Sequence, residues 1–176
     1  MKYYKCTIKG NAPYYYTKPT KEEKVPKTEE QKKASALRKV YNNGGLLIPN
    51  RQIKRAMMEA ARTAKMKTER SAARTVKLFS TNLLQIQPQE IYIQPEMAIE
   101  DIILEEWFIH EAGIWSYIAR VDEWELTFDV VFSEVFEPSF IKEALENAGL
   151  LSCIGGRRGL GNGAFDVISF EEGDDR

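Results

Sequence analysis

The sequence predicts an α+β domain: an antiparallel sheet with helices on one face and charged insertions hanging from it. Three observations carry that expectation. A strand pattern followed by a helix pattern opens the chain. Strand, strand, helix, loop and strand patterns then close it in that order. Hydrophobic content of 43% in 176 residues is ordinary for one domain with a single core.

Lys2–Lys9 alternates, with Tyr4, Cys6 and Ile8 on one side and Tyr3, Lys5, Thr7 and Lys9 on the other. That is a strand with a wet, basic face. Asn11-Ala12-Pro13 ends it, and Tyr14, Tyr15 and Tyr16 follow. In an extended chain they put rings on both sides, which serves either a base-stacking platform or core packing. Residues 18–33 (KPTKEEKVPKTEEQKK) are charged and carry proline, which predicts a flexible loop. A short helix is expected over Ala34–Tyr41, a turn at Asn42–Gly45 and a brief strand at Leu46–Ile48.

Asn50 is placed to N-cap a helix from Arg51 to about Lys65, with Ile53, Met57, Ala60, Ala61 and Ala64 facing the core. Arg51, Lys54, Arg55, Arg62 and Lys65 cover much of the remainder. Lys67, Arg70, Arg74 and Lys77 are spaced three or four apart, so they form one stripe if their segment is helical. The basic region 51–77 thus reads as a helical insertion that contacts phosphates. Short strands are expected at Leu83–Ile86 and Ile91–Ile93, and longer ones at Ile114–Val121 and Trp124–Phe132. A helix over Phe140–Ala148, C-capped by Gly149, and a strand over Ala164–Phe170 complete the chain. This order is compatible with the ferredoxin-like pattern.

The net charge of −1 hides a strong asymmetry. Met1–Leu78 holds 20 Lys/Arg against 6 Asp/Glu, and Phe79–Arg176 holds 5 against 20. The basic half implies an anionic partner. The split also allows the basic face of one copy to meet the acidic face of the next, a head-to-tail homo-oligomer. No apolar run approaches the ~20 residues that span a bilayer, and MKYYKCTIKG lacks the apolar region of a signal peptide. A cytoplasmic protein without a membrane partner is expected. Cys6 and Cys153 read as buried thiols, with no disulfide framework or zinc spacing.

Ile154–Phe165 (IGGRRGLGNGAF) concentrates five glycines around Arg157 and Arg158. Glycine permits positive φ and close backbone approach, and exposed N–H groups beside two guanidiniums favour an anion. The loop reads as a phosphate clamp, or else as a long turn with two solvated arginines. It lacks the Lys-Ser/Thr ending of a P-loop and follows a helix rather than a strand, which disfavours nucleotide binding.

Three stretches together resemble the RAMP superfamily, the repeat-associated proteins that build CRISPR effector complexes. IKGNAPYYY is similar to their first strand and turn. LLIPNRQIKRAMMEAAR is similar to their strand, Ile-Pro turn and basic helix, with Ile48, Pro49, Ile53, Lys54, Ala56 and Met57 in matching places. Asn50 and Arg55 stand where glycine is usual. IGGRRGLGNGAF resembles their C-terminal glycine-rich loop. The resemblance implies a ferredoxin-like, RRM-like core that holds single-stranded DNA or RNA and stacks head to tail, as a guide-RNA subunit or as a small phage relative.

Catalysis has little support in the sequence. His110 is the sole histidine, in a strand-like run within the acidic half, and reads as structural. Glu105-Glu106, Asp122-Glu123 and Glu171-Glu172 lack ligand-like spacing and read as solvated faces. No cofactor or metal is expected. The expected function is non-catalytic binding of single-stranded nucleic acid by Arg51, Lys54, Arg55, Arg62, Lys67, Arg70, Arg74, Lys77, Arg157 and Arg158, with Tyr14, Tyr15 and Tyr16 for stacking. A different class is an inhibitor whose acidic half, including Glu105, Glu106, Asp122 and Glu123, imitates phosphate.

Overall fold

A computed structural model describes residues 1–21, 24–63 and 72–174. Its main sheet contains β1 (Lys2–Gly10), β4 (Leu84–Gln87), β8 (Glu125–Phe132) and β9 (Phe165–Glu172), in the order β4-β8-β1-β9. Every neighbouring pair is antiparallel. It follows that β1 runs parallel to β4, and β8 to β9, each pair separated by a strand of the other. Helix α2 (Asn50–Thr63) lies between β1 and β4 in sequence, and α4 (Pro138–Asn147) between β8 and β9. Two interleaved strand–helix–strand units of this kind are the ferredoxin-like arrangement.

The period-2 pattern sets which face is dry. Cys6 and Ile8 of β1, Leu84 and Ile86 of β4, and Leu126, Phe128, Val130 and Phe132 of β8 are buried. They pack with Ile53, Ala56, Met57, Ala60 and Ala61 of α2 and Phe140, Ile141, Ala144 and Leu145 of α4 in one contiguous core. The opposite face is open and polar. There Lys5 stands between Asp129 and Glu171, and Lys9 between Glu125 and Asp166. Thr7 and Thr127 share a hydroxyl hydrogen bond at 3.0 Å.

The remaining elements are insertions. β2 (Tyr14–Tyr16), β6 (Ile103–Ile109) and β7 (Ile114–Val121) form a second antiparallel sheet in the order β2-β7-β6. Helix α1 (Glu29–Arg38) docks on β7, where Tyr117 donates to Glu29 at 2.6 Å. β3 (Leu47–Pro49) pairs with β5 (Glu90–Tyr92), and α3 (Ala72–Phe79) packs on α2.

Several expectations are corrected. Residues 18–33 are not one loop, because α1 begins at Glu29 behind a capping box in which Thr28 and Gln31 satisfy each other's backbone N–H groups. Asn50 is the first residue of α2 rather than its cap, and its amide donates to the Ile86 carbonyl at 2.5 Å. Gly149 does not end α4. The chain continues through a π turn at Ala148–Ser152 and leaves at Cys153, whose φ is 59°. A Cβ on Gly149 would sit 2.0 Å from the Phe165 carbonyl, so packing is what requires glycine there.

The glycine-rich loop connects α4 to β9 and is tied to β2 and to the residue before it. Gly156 N–H donates to the Tyr15 carbonyl and Gly163 N–H to the Pro13 carbonyl, both at 2.8 Å. Gly163 has φ of +73°, and a Cβ there would meet the Ile154 carbonyl oxygen at 1.7 Å. Backbone strain and a backbone clash coincide at this position, with no flexible side chain to give way. Gly163→Ala is expected to destabilise the fold by about 3 kcal/mol or more. Chemical denaturation checks this, and a loss under about 1 kcal/mol contradicts it.

Candidate nucleic-acid interface

Helix geometry places Arg51, Arg55, Glu59 and Arg62 on one stripe of α2, because steps of four, four and three residues keep to one face. The glycine-rich loop brings Arg158 against that stripe. Between them lies a groove of about 670 Å³ lined by Thr17, Tyr41, Arg51, Gln52, Arg55 and Arg158, with Cys153 to Gly155 along one side. Three predicted arginines, separated by more than a hundred residues in the chain, therefore share one concave surface.

Each arginine is held differently. Arg51 Nη2 donates to the Tyr41 hydroxyl at 3.0 Å, and the Arg51 guanidinium and Lys18 Nζ both lie within 6 Å of the Tyr41 ring centre. Among the described residues no carboxylate pairs with Arg51. Arg55 Nε and Arg158 Nη1 both donate to Glu59, at 2.8 and 2.5 Å. Burial opposes ionisation of Glu59, but hydrogen bonds from Arg158 and Arg55 outweigh it and hold its carboxyl below the usual range. Glu59 thus keeps its charge and fixes two guanidiniums, each of which retains further N–H donors.

Arg157 is not available in the same way. Its guanidinium lies between two aromatic rings, 5.0 Å from the centre of Tyr15 and 4.9 Å from that of Trp107. Its Nη1 donates to Glu105 Oε1 at 3.0 Å, while its Nε is buried without a hydrogen-bond partner. Glu105 Oε2 accepts from the Tyr15 hydroxyl at 2.5 Å and from Arg120 Nη1 at 2.7 Å. Arg120 Nε approaches Asp122 at 2.9 Å, at an angle that makes this an ion pair rather than a hydrogen bond. Burial opposes ionisation of Glu105 too, yet Tyr15, Arg120 and Arg157 together hold its carboxyl below the ordinary value. Glu105 is consequently charge-paired inside this network, while Asp122 pairs with Arg120 from the exposed edge.

The other predicted residues fall in different places. Tyr14, Tyr15 and Tyr16 are 0, 5 and 0% exposed, so their rings belong to the core and offer no face to a base. Lys54 is turned away from the groove and donates to the backbone carbonyls of Thr81 and Leu84 at 2.9 and 2.7 Å. Burial lowers its pKa. Arg62, Arg74 and Lys77 are exposed outside the groove. Lys67 and Arg70 lie outside the described residues. Tyr41, Lys18, Glu59 and Trp107 were missed as site residues. Only the i,i+4 spacing of Arg55 and Glu59 signalled any of these contacts in advance.

Among the described residues no group of three or more His, Cys, Asp and Glu side chains could hold a metal ion. His110 is exposed in the β6–β7 turn, edge-on to Phe108. No described helix is long and apolar enough to cross a membrane.

No family model matches the sequence, and no curated protein matches it. Among solved structures, a chain of a Type IV-B CRISPR complex is similar with a TM-score of 0.57 at 10% identity. The match covers 99% of this chain and 92% of that one. At this identity the likeness is one of fold.

The two adjacent arginines should therefore behave oppositely. Arg157→Ala is expected to cost about 2 kcal/mol, since it leaves the half-buried Glu105 with one cation fewer and opens the ring sandwich. Arg158→Ala should cost under about 1 kcal/mol, as it removes a partly solvated ion pair without the two ring contacts that Arg157 makes. Equal losses in denaturant titrations contradict the assignment. The folded-state pKa of Glu105 is depressed, so its stabilisation is present at neutral pH. It is lost as pH falls below about 4.3, the unfolded value, towards the folded one. The unfolding midpoint of Glu105→Gln should accordingly vary less with pH in that acidic window than that of the wild type.

Proposed function

We propose that the protein is a non-catalytic subunit of a multi-subunit nucleic-acid complex and holds a single strand by its phosphates. The observation that carries this reading is the convergence of Arg51, Arg55 and Arg158 on one groove, with Lys18 at its rim. Their positive charge is only partly offset, by Glu59. A polyanion that enters such a groove releases condensed counterions, which favours binding at low salt. The likeness of fold to a chain of a Type IV-B CRISPR complex supports a larger assembly as the setting, and the sequence resemblance supports guide RNA as the strand. The uneven charge of the two halves supports head-to-tail contact between copies. A phage setting, with arbitrary DNA or RNA strands as ligand, is a second reading that rests on the sequence resemblance alone.

The test is binding of fluorescent DNA and RNA strands of about 30 nucleotides at a series of salt concentrations. Three arginines on phosphates should give a log–log slope near −2, at roughly 0.7 per phosphate for a single strand. Arg158→Ala should shallow the slope by about 0.7 and weaken binding of every sequence alike. Salt-independent binding, or an unchanged slope in Arg158→Ala, removes the groove from the proposal.

A further inference from the structure

Arg158 stands on the wall between two hollows. One is the arginine groove. The other, of about 490 Å³, lies on the far side of Arg158 and is lined by Glu59, Thr63, Leu151, Ser152, Arg158 and Gly159. The two differ in chemistry. The first presents Arg51, Arg55 and Arg158. The second places the Glu59 carboxylate beside two hydroxyl side chains and a leucine.

The wall of this second hollow carries one apolar side chain, Leu151. Leu151 is 51% exposed, and the neighbouring Leu150 and Leu160 are 76 and 73% exposed. All three sit in short turns, Leu150 and Leu151 in the π turn and Leu160 in the 3₁₀ turn at Arg158–Leu160. Leu151 is thus an apolar side chain open to solvent at the hollow, free to meet a ligand there. Glu59 repels a phosphate, so a strand cannot continue through the second hollow backbone first. A carboxylate does accept N–H and O–H donors, which phosphates lack and nucleosides carry. Thr63 donates its own hydroxyl to the Ala60 carbonyl at 3.3 Å, which leaves its oxygen lone pairs free to accept. Leu151 in the same hollow as these acceptors offers apolar contact to the flat face of a base.

We propose that the second hollow is a nucleoside subsite: Arg158 holds a phosphate at the wall, and the adjoining base and sugar lie against Leu151, within reach of Glu59 and Thr63. This rests on the reading of the arginine groove as the phosphate path. Continuity through Arg158, which lines both hollows, favours a strand over a second copy of the chain as the occupant.

The experiment compares a fluorescent strand of about 30 nucleotides with an abasic strand of the same phosphate count, on wild type and Leu151→Ala. Leu151 is exposed, so the variant should fold, and circular dichroism checks that it does. Leu151→Ala should weaken the base-bearing strand about threefold to tenfold, the scale of losing part of one leucine's apolar burial. The abasic strand and the salt slope should not change. Equal weakening on both strands, or none on either, overturns the subsite while leaving the groove in place. A variant that instead changes self-association without any strand makes the leucines a contact between copies and also overturns it. If the wild type binds neither strand, the phosphate path fails and the subsite with it.

Discussion

The Glu105 carboxylate joins parts of the chain that share no sequence proximity. It receives the Tyr15 hydroxyl from β2, Arg120 from β7 and Arg157 from the glycine-rich loop. A half-buried carboxylate is costly unless its lone pairs are filled, and here both oxygens accept charge-assisted or hydroxyl hydrogen bonds. The loop it anchors has five glycines, which lose more conformational freedom on ordering than any other residue. A loop of that composition keeps one shape only if something outside it imposes that shape. Arg157, held by Glu105 and two aromatic rings, does so near its start, while Gly156 and Gly163 are tied to the carbonyls of Tyr15 and Pro13.

Once Arg157 is fixed, its neighbour is fixed as well. Arg157 adopts left-handed backbone angles, φ 56° and ψ 29°, and the 3₁₀ turn begins at Arg158. The two side chains leave the loop in different directions, one into the second sheet and one towards α2. Division of labour between adjacent arginines follows from backbone geometry. Glu59 then receives Arg158 and Arg55 together, so the groove is organised by an internal carboxylate that also limits its net charge.

The scaffold and the site make separate claims. Two interleaved strand–helix–strand units bring α2 and α4 onto one face of the sheet, and this arrangement is shared with a subunit of a Type IV-B CRISPR complex at only 10% identity. A fold of this generality carries many functions, so the functional reading has to come from side chains. The open sheet face shows why. Lys5, Lys9 and the threonine pair sit among carboxylates, an arrangement unlike the aromatic surface by which RRM sheets stack bases. The positive surface lies instead where α2 meets the glycine-rich loop.

The main strands, the dry faces of β1 and β8, the apolar stripes of α2 and α4, and the α+β class are legible in the chain alone, because period-2 and period-3.6 patterns are local and survive in one dimension. So are the basic helix and the Gly-Arg-Arg loop. Which of those charges meet is set by how remote segments pack. Tyr14 and Tyr16 look identical to a stacking platform until the second sheet buries them against Trp124 and Tyr41. Lys54 looks like its neighbours until the Thr81 and Leu84 carbonyls are brought to it. Arg157 and Arg158 are equivalent as letters and become distinct when Glu105 and Glu59 arrive from remote positions. Pairing across 52 and 99 residues depends on how the sheets and helices pack, and no local pattern encodes it.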